Sequence, residues 1–130
     1  SLLARQRLTS TMWVGFEYER VDREDRYVGY NNYVRDHYEF AFHWSPGVRF
    51  DFELSGYYRN YNYENAFAFN NPGLPTKTLE TARGDATISY RITPRLSVAV
   101  EGRFDDYVSN DSRIQYERGR YSLSFVWRQD

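Results

Sequence analysis

The chain of 130 residues has no cysteine, four prolines and one methionine. Without cysteine there is no disulfide framework and no thiolate metal site, and the redox compartment stays open. No apolar run approaches the roughly 20 residues that a membrane-spanning helix needs. That excludes spanning helices but not spanning strands, whose apolar residues alternate and escape a hydropathy window. Charge of one sign is lacking too. Seventeen basic and 18 acidic residues leave a net charge of −1, with no basic footprint for nucleic acid. The opening "SLLARQRLTS" carries two leucines before its charges and no signal-peptide core. The expectation is therefore a removed leader or an internal piece of a longer chain.

What the chain has in abundance is aromatic residues, with 13 Tyr, 9 Phe and 3 Trp. That is far too many for a disordered, solvating chain. They recur with period two, and helical spacing is almost absent. In "RLTSTMWVGFEYER" the alternating set is Met12, Val14, Phe16 and Tyr18. In "VRDHYEFAFHW" it is Val34, Tyr38, Phe40, Phe42 and Trp44. "VRFDFELSGYYR" alternates Val48, Phe50, Phe52, Leu54 and Tyr58 with Arg49, Asp51, Glu53 and Arg59. "TARGDATISYR" sets Ala82, Gly84, Ala86, Ile88 and Tyr90 against Arg83, Asp85, Thr87 and Ser89. "LSVAVEGRFDDY" sets Leu96, Val98, Val100 and Phe104 against Ser97, Glu101, Arg103 and Asp105. The closing "YSLSFVWRQD" alternates Tyr121, Leu123, Phe125 and Trp127 with small or polar residues. The pattern predicts six antiparallel strands in one all-β, up-and-down domain covering residues 1–130.

The connections alternate in length. Ser45-Pro46-Gly47 and Thr93-Pro94-Arg95 read as tight turns, with proline presetting a turn dihedral. "VDREDRYVGYNN", "NYNYENAFAFNNPGLPTK" and "VSNDSR" read as long polar loops. Short turns at one end and long loops at the other is the arrangement of outer-membrane barrels. Strand length agrees, since runs of about twelve residues exceed the roughly 5–6 of soluble strands and suit a tilted membrane strand of about 9–11. Trp44, Tyr90 and Trp127 fall on three strands at the short-turn end of the apolar face, as a headgroup-level girdle would. Tyr18, Tyr58, Phe104 and Tyr121 are expected to form the opposite girdle, with Phe52 at the midplane.

The other face collects Arg49, Asp51, Glu53, Arg83, Asp85, Glu101, Arg103, Asp105, Arg118 and Arg120, with Arg35, His37, Glu39 and His43 on the "VRDHYEFAFHW" strand. A three-residue "TPR" turn with Ile92 opposite Leu96 pairs Asp85 with Arg103 and Arg83 with Asp105. Such pairs are worth about 0.2–1 kcal/mol each. One pair tighter, arginine would face arginine. A wall of mixed charges suits a water-filled lumen, because unpaired charges in a dry pocket are costly.

Catalytic readings find little footing. His37 and His43 share a face but stand six residues, roughly 20 Å, apart, too far to bind one metal ion. Asp105 and Asp106 point to opposite faces. No serine sits in a nucleophile elbow and no glycine-rich loop opens a helix. The acidic loops match no calcium-loop spacing. "NDS" is formally a glycosylation sequon. The expectation is a protein that is not an enzyme and uses neither cofactor nor metal.

At this point a resemblance enters. "YSLSFVW" is similar to the β-signal of bacterial outer-membrane proteins, which the barrel-assembly machinery recognises; here Arg128, Gln129 and Asp130 follow the aromatic. More widely, "LSVAVEGRFDDYVSNDSRIQYERGRYSLSFVW" resembles the last hairpin of β-barrel porins and of the barrels attached to tetratricopeptide-repeat exopolysaccharide exporters. The shared features are a short Asn/Asp/Ser loop and a Tyr116-x-Arg118-x-Arg120 approach to the final strand. The match covers about the last fifty residues. It implies an outer-membrane channel for small solutes or polysaccharide.

Six strands fall short of the roughly eight that single-chain membrane barrels need. The favoured expectation is a larger barrel to which "SLLARQRL" continues an earlier strand. The alternatives are several copies sharing one barrel, or a further hairpin hidden in "YNYENAFAF". Two other readings stand beside the channel. One is a soluble lipocalin-like barrel with its apolar face turned inward around a ligand. The other is a surface barrel that anchors adhesive loops.

Overall fold

The computed structural model describes residues 1–24 and 32–127. They form seven strands: β1 (Leu2–Thr9), β2 (Met12–Arg23), β3 (Tyr33–Trp44), β4 (Phe50–Phe67), β5 (Thr76–Arg91), β6 (Leu96–Ser109) and β7 (Tyr116–Trp127). Each pairs antiparallel with the next in one open sheet ordered β1 to β7. The fold is thus all-β and up-and-down. No helix among the described residues is long and apolar enough to cross a membrane, which says nothing about strands.

The count is seven, not six. The extra strand is β1, which the hairpin Thr9↔Met12 folds back onto β2. Its turn, Ser10-Thr11, carries none of the Asn-Gly or Asp-Gly chemistry that marks a two-residue hairpin. Adjacent Leu2 and Leu3 blur the alternation as well.

Three further boundaries differ from the expectation. β4 begins at Phe50, so Val48 and Arg49 belong to a wider turn that Ser45 Oγ closes onto the Phe50 carbonyl at 3.2 Å. At the other end β4 runs on to Phe67, so "YNYENAFAF" extends a strand instead of hiding a hairpin. Tyr61 and Tyr63 continue the alternation, and both pack on Tyr33 with ring centroids 5.4 and 5.7 Å away. The loop that follows shrinks to residues 68–75. Part of "VDREDRYVGYNN" (residues 25–31) lies outside the described residues, as do residues 128–130.

The turn at Thr93-Pro94-Arg95 is as expected, with the Ile92 N–H on the Leu96 carbonyl at 2.9 Å. Two loops at the opposite end are clasped together. Asp111 is 2% exposed and accepts from the Phe69 N–H at 3.0 Å and from Arg113 Nε and Nη2 at 2.8 and 2.6 Å. Phe69 needs the hold, because its φ of 55° is a left-handed conformation that bulky side chains rarely adopt.

The sheet has no core of the soluble kind. The only apolar residues buried among those described are Ala66 and Ala68, and no large side chain is fully buried. A chain of this length that folded in water around a core would bury many.

Candidate functional site

The register places every even residue of β2 to β6 and every odd residue of β7 on one face. Cross-strand rows show it: Val14↔Phe42↔Leu54↔Ala86↔Gly102↔Tyr121, and Tyr18↔Tyr38↔Tyr58↔Ala82. The two faces differ in burial opposite to a soluble protein. Phe40 and Val100, mid-strand on the apolar face, are 43% and 51% exposed, while Asp105 and His37 on the polar face are 5% and 6% exposed. Polar side chains crowd one another and apolar ones splay into the open.

The expected girdle residues fall on a slanted line. Trp44 shares its row with Phe52 and Ile88; Tyr90 is two residues further toward the short turns, and Trp127 two further again beyond Phe125. That stagger is one residue per strand. With about 3.3 Å per residue and about 4.8 Å between strands, the line slopes about 35° from the hydrogen-bond direction. A level circle around a barrel crosses the sheet at this slope when the strands tilt by about 35–45°.

A second line runs parallel to the first. Tyr38 stands six residues from Trp44 on β3, and Tyr121 six residues from Trp127 on β7. Tyr18, Tyr58 and Phe104 fall within one residue of it. Adjacent aromatics stack along its row, with Tyr18–Tyr38 centroids at 5.0 Å and Tyr38–Tyr58 at 6.3 Å. Between the lines β2 to β7 carry only aliphatic, phenylalanine and glycine residues on this face, and charges resume past it at Arg20, Asp36, Glu80, Asp106 and Glu117. The lines lie about 16 Å apart, six residues of rise corrected for tilt. The stagger also moves the middle of this band from Phe52 to Phe16, Leu54 and Val100.

The polar face is a ladder of paired charges. Arg83 Nε donates to Asp105 Oδ1 at 2.5 Å, and Arg103 pairs with Asp85, in the register expected from the turn. Arg35 Nη2 reaches Glu19 Oε2 at 2.5 Å, and the Ser122 hydroxyl donates to Glu101 at 3.2 Å. Arg118 and Arg120 face Asp105 and Arg103 across β7. Arg49 stands at the rim, where its carbonyl accepts the Arg91 N–H at 2.7 Å. Arg59 Nε donates to His37 Nδ1 at 3.0 Å. Since arginine only donates, that nitrogen is the acceptor and the ring proton sits on Nε2, toward Glu39. Arg59 also lies 4.0 Å over the Tyr57 ring, which Arg83 approaches at 5.4 Å.

One residue of this face, Trp13, lies outside the candidates that the sequence offers. Trp13 is on the polar side, held beneath Arg5 at 4.0 Å and stacked on His43 at 5.9 Å. His43 Nε2 in turn meets Asp51 Oδ2 at 2.8 Å. The residue before Val14 in an alternating run belongs to the opposite face, and that parity is the signal for Trp13.

Comparison with protein-family models, with curated proteins and with solved structures gives no match for this chain.

Proposed function

We propose that the sheet is the wall of a transmembrane β-barrel channel in a bacterial outer membrane, apolar face to lipid and charged face to a water-filled lumen. The observation that carries this reading is the slanted, charge-free band between two lines of aromatic residues on the exposed face of a sheet without a core. Aromatic rings extend the band beyond its 16 Å toward the roughly 25 Å apolar height of outer-membrane barrels. Inward-facing, paired charges suit a lumen that hydrated solutes cross. The exposed apolar face speaks against the lipocalin-like alternative, which needs it inside.

On this reading the protein is a conduit and not a catalyst, and β7 is the segment offered to the barrel-assembly machinery. Passage of polysaccharide rests on the resemblance of the last fifty residues, and passage of small solutes on the charged wall. Closure involves both edges. β1 and β7 run in the same direction, so an all-antiparallel barrel adds an odd number of strands, from the same or another chain.

The test is electrophoresis of the detergent-refolded chain in SDS, cold and boiled, followed by conductance in a planar bilayer. Faster migration when unboiled, with ion current after insertion, is the expected outcome. Solubility in buffer with no shift overturns the membrane reading. A shift without current leaves a membrane anchor for the loops and removes the channel.

A further inference from the structure

We propose that His43, Asp51 and Glu53 form a binding site for a divalent first-row transition ion, Zn2+ being the natural probe. The inference goes beyond the channel reading and does not rest on it. Strand pairing assembles the three side chains: His43 of β3 is directly opposite Glu53 of β4, and Asp51 is two residues along from Glu53 on the same face. One ligand atom from each lies within 4.8 Å of the others, and His43 Nε2 is 2.8 Å from Asp51 Oδ2. A Zn2+ ion bound at about 2.0–2.2 Å by each donor holds its ligands roughly 3–4 Å apart, so small side-chain rotations close the set.

Three features argue for an ion there. Two carboxylates side by side on one face repel, and a cation held between them relieves that repulsion. Glu53 makes no hydrogen bond or ion pair among the described residues and is exposed, whereas Asp85 and Asp105 of the same face are each matched by an arginine. The His43 ring is oriented by the Trp13 ring stacked on it at an interplanar angle of 24°, which aims Nε2 at the carboxylates. An imidazole in the donor set selects Zn2+ and its neighbours over Ca2+ and Mg2+, which prefer oxygen alone. Three protein ligands leave a coordination position for water on the polar face. His37 takes no part, since its ring is engaged by Arg59 and Glu39.

The experiment is calorimetric titration of Zn2+ into the untagged, detergent-refolded chain, with diethylpyrocarbonate modification of the same unaltered chain read by mass spectrometry. The expected result is one Zn2+ per chain and protection of His43 by Zn2+. His43→Gln and the double variant Asp51→Asn/Glu53→Gln each weaken binding at least about tenfold, as loss of ligands or their partners does. His37→Gln binds like the parent. No binding overturns the proposal, as does binding that survives both variants or follows His37. Should a variant fail to refold, unaltered His43 reactivity in the parent with and without Zn2+ decides against the site, and protection decides for it.

Discussion

Asp105 and Asp85 are both paired with an arginine one strand away, and they differ in how much water reaches the pair. The Asp105 side chain is almost covered, while Asp85 and Arg103 are both partly open. Desolvation makes a lost partner costly in the first case and cheap in the second. Asp105→Asn should therefore destabilise by about 1–3 kcal/mol, and Asp85→Asn by less than about 1 kcal/mol. Urea unfolding of both in the same detergent checks the ranking, and equal costs would mean that Asp105 is wetter than its surroundings indicate. The register behind both pairs was legible in the sequence, because the short Thr93-Pro94-Arg95 turn permits few pairings and only one sets acid against base. The difference in burial was not legible. It depends on neighbours outside the β5–β6 hairpin: Tyr57 of β4 lies 5.4 Å from Arg83, and Arg118 of β7 is opposite Asp105.

At the scale of one strand, Leu54 and Ser55 are neighbours in sequence and opposites in surroundings. Leu54→Arg, at the middle of the apolar band, should cost about 2–4 kcal/mol in lipid, while Ser55→Arg, facing Asp85 on the polar side, should be near neutral. Refolding equilibria in lipid vesicles measure both, and similar costs would contradict the assignment of faces. The loops at the far end make a separate prediction. The paired guanidinium of Arg113, with backbone N–H groups of Phe69 and Arg113, holds the Asp111 carboxyl well below the usual carboxylate range. A depressed carboxyl stabilises above its unfolded value of about 4 and loses that contribution as pH falls toward its folded value. Asp111→Asn should thus lower the melting temperature at pH 7, and the gap to the parent should narrow below about pH 4. A gap independent of pH would assign the effect to packing alone. Loop composition announced polar tips and nothing more; the clasp joins residues 42 positions apart and exists only once β4, β5 and β6 are aligned.

The whole molecule places its three tryptophans on different sides. Trp44 and Trp127 lie on the apolar face and Trp13 on the polar one, beneath Arg5. In vesicles containing brominated lipid, single-tryptophan variants keeping Trp44 or Trp127 should be strongly quenched. The variant keeping Trp13 should instead respond to aqueous iodide. Quenching of Trp13 by lipid would reverse the faces of the sheet. Strand number belongs to this scale too. β1 is only weakly marked in the sequence, where "SLLARQRL" reads as the continuation of an earlier strand, because adjacent Leu2 and Leu3 break its alternation and its Ser-Thr turn has little chemistry to mark it.

Period-two alternation is a local property, because successive side chains on an extended chain must point to opposite sides. The sequence alone therefore determined the strands β2 to β7, their two faces, the short and long ends, and which residues are charged or aromatic on each face. Outside the β5–β6 pair, whose short turn limits the register, only the tertiary structure decided how those faces align across strands. Register slides a whole strand in steps that leave its own pattern unchanged, so the slanted aromatic lines, the shift of the band's middle from Phe52 to Leu54, and the meeting of His43 with Asp51 and Glu53 all depend on pairing between strands, which no single stretch of sequence contains.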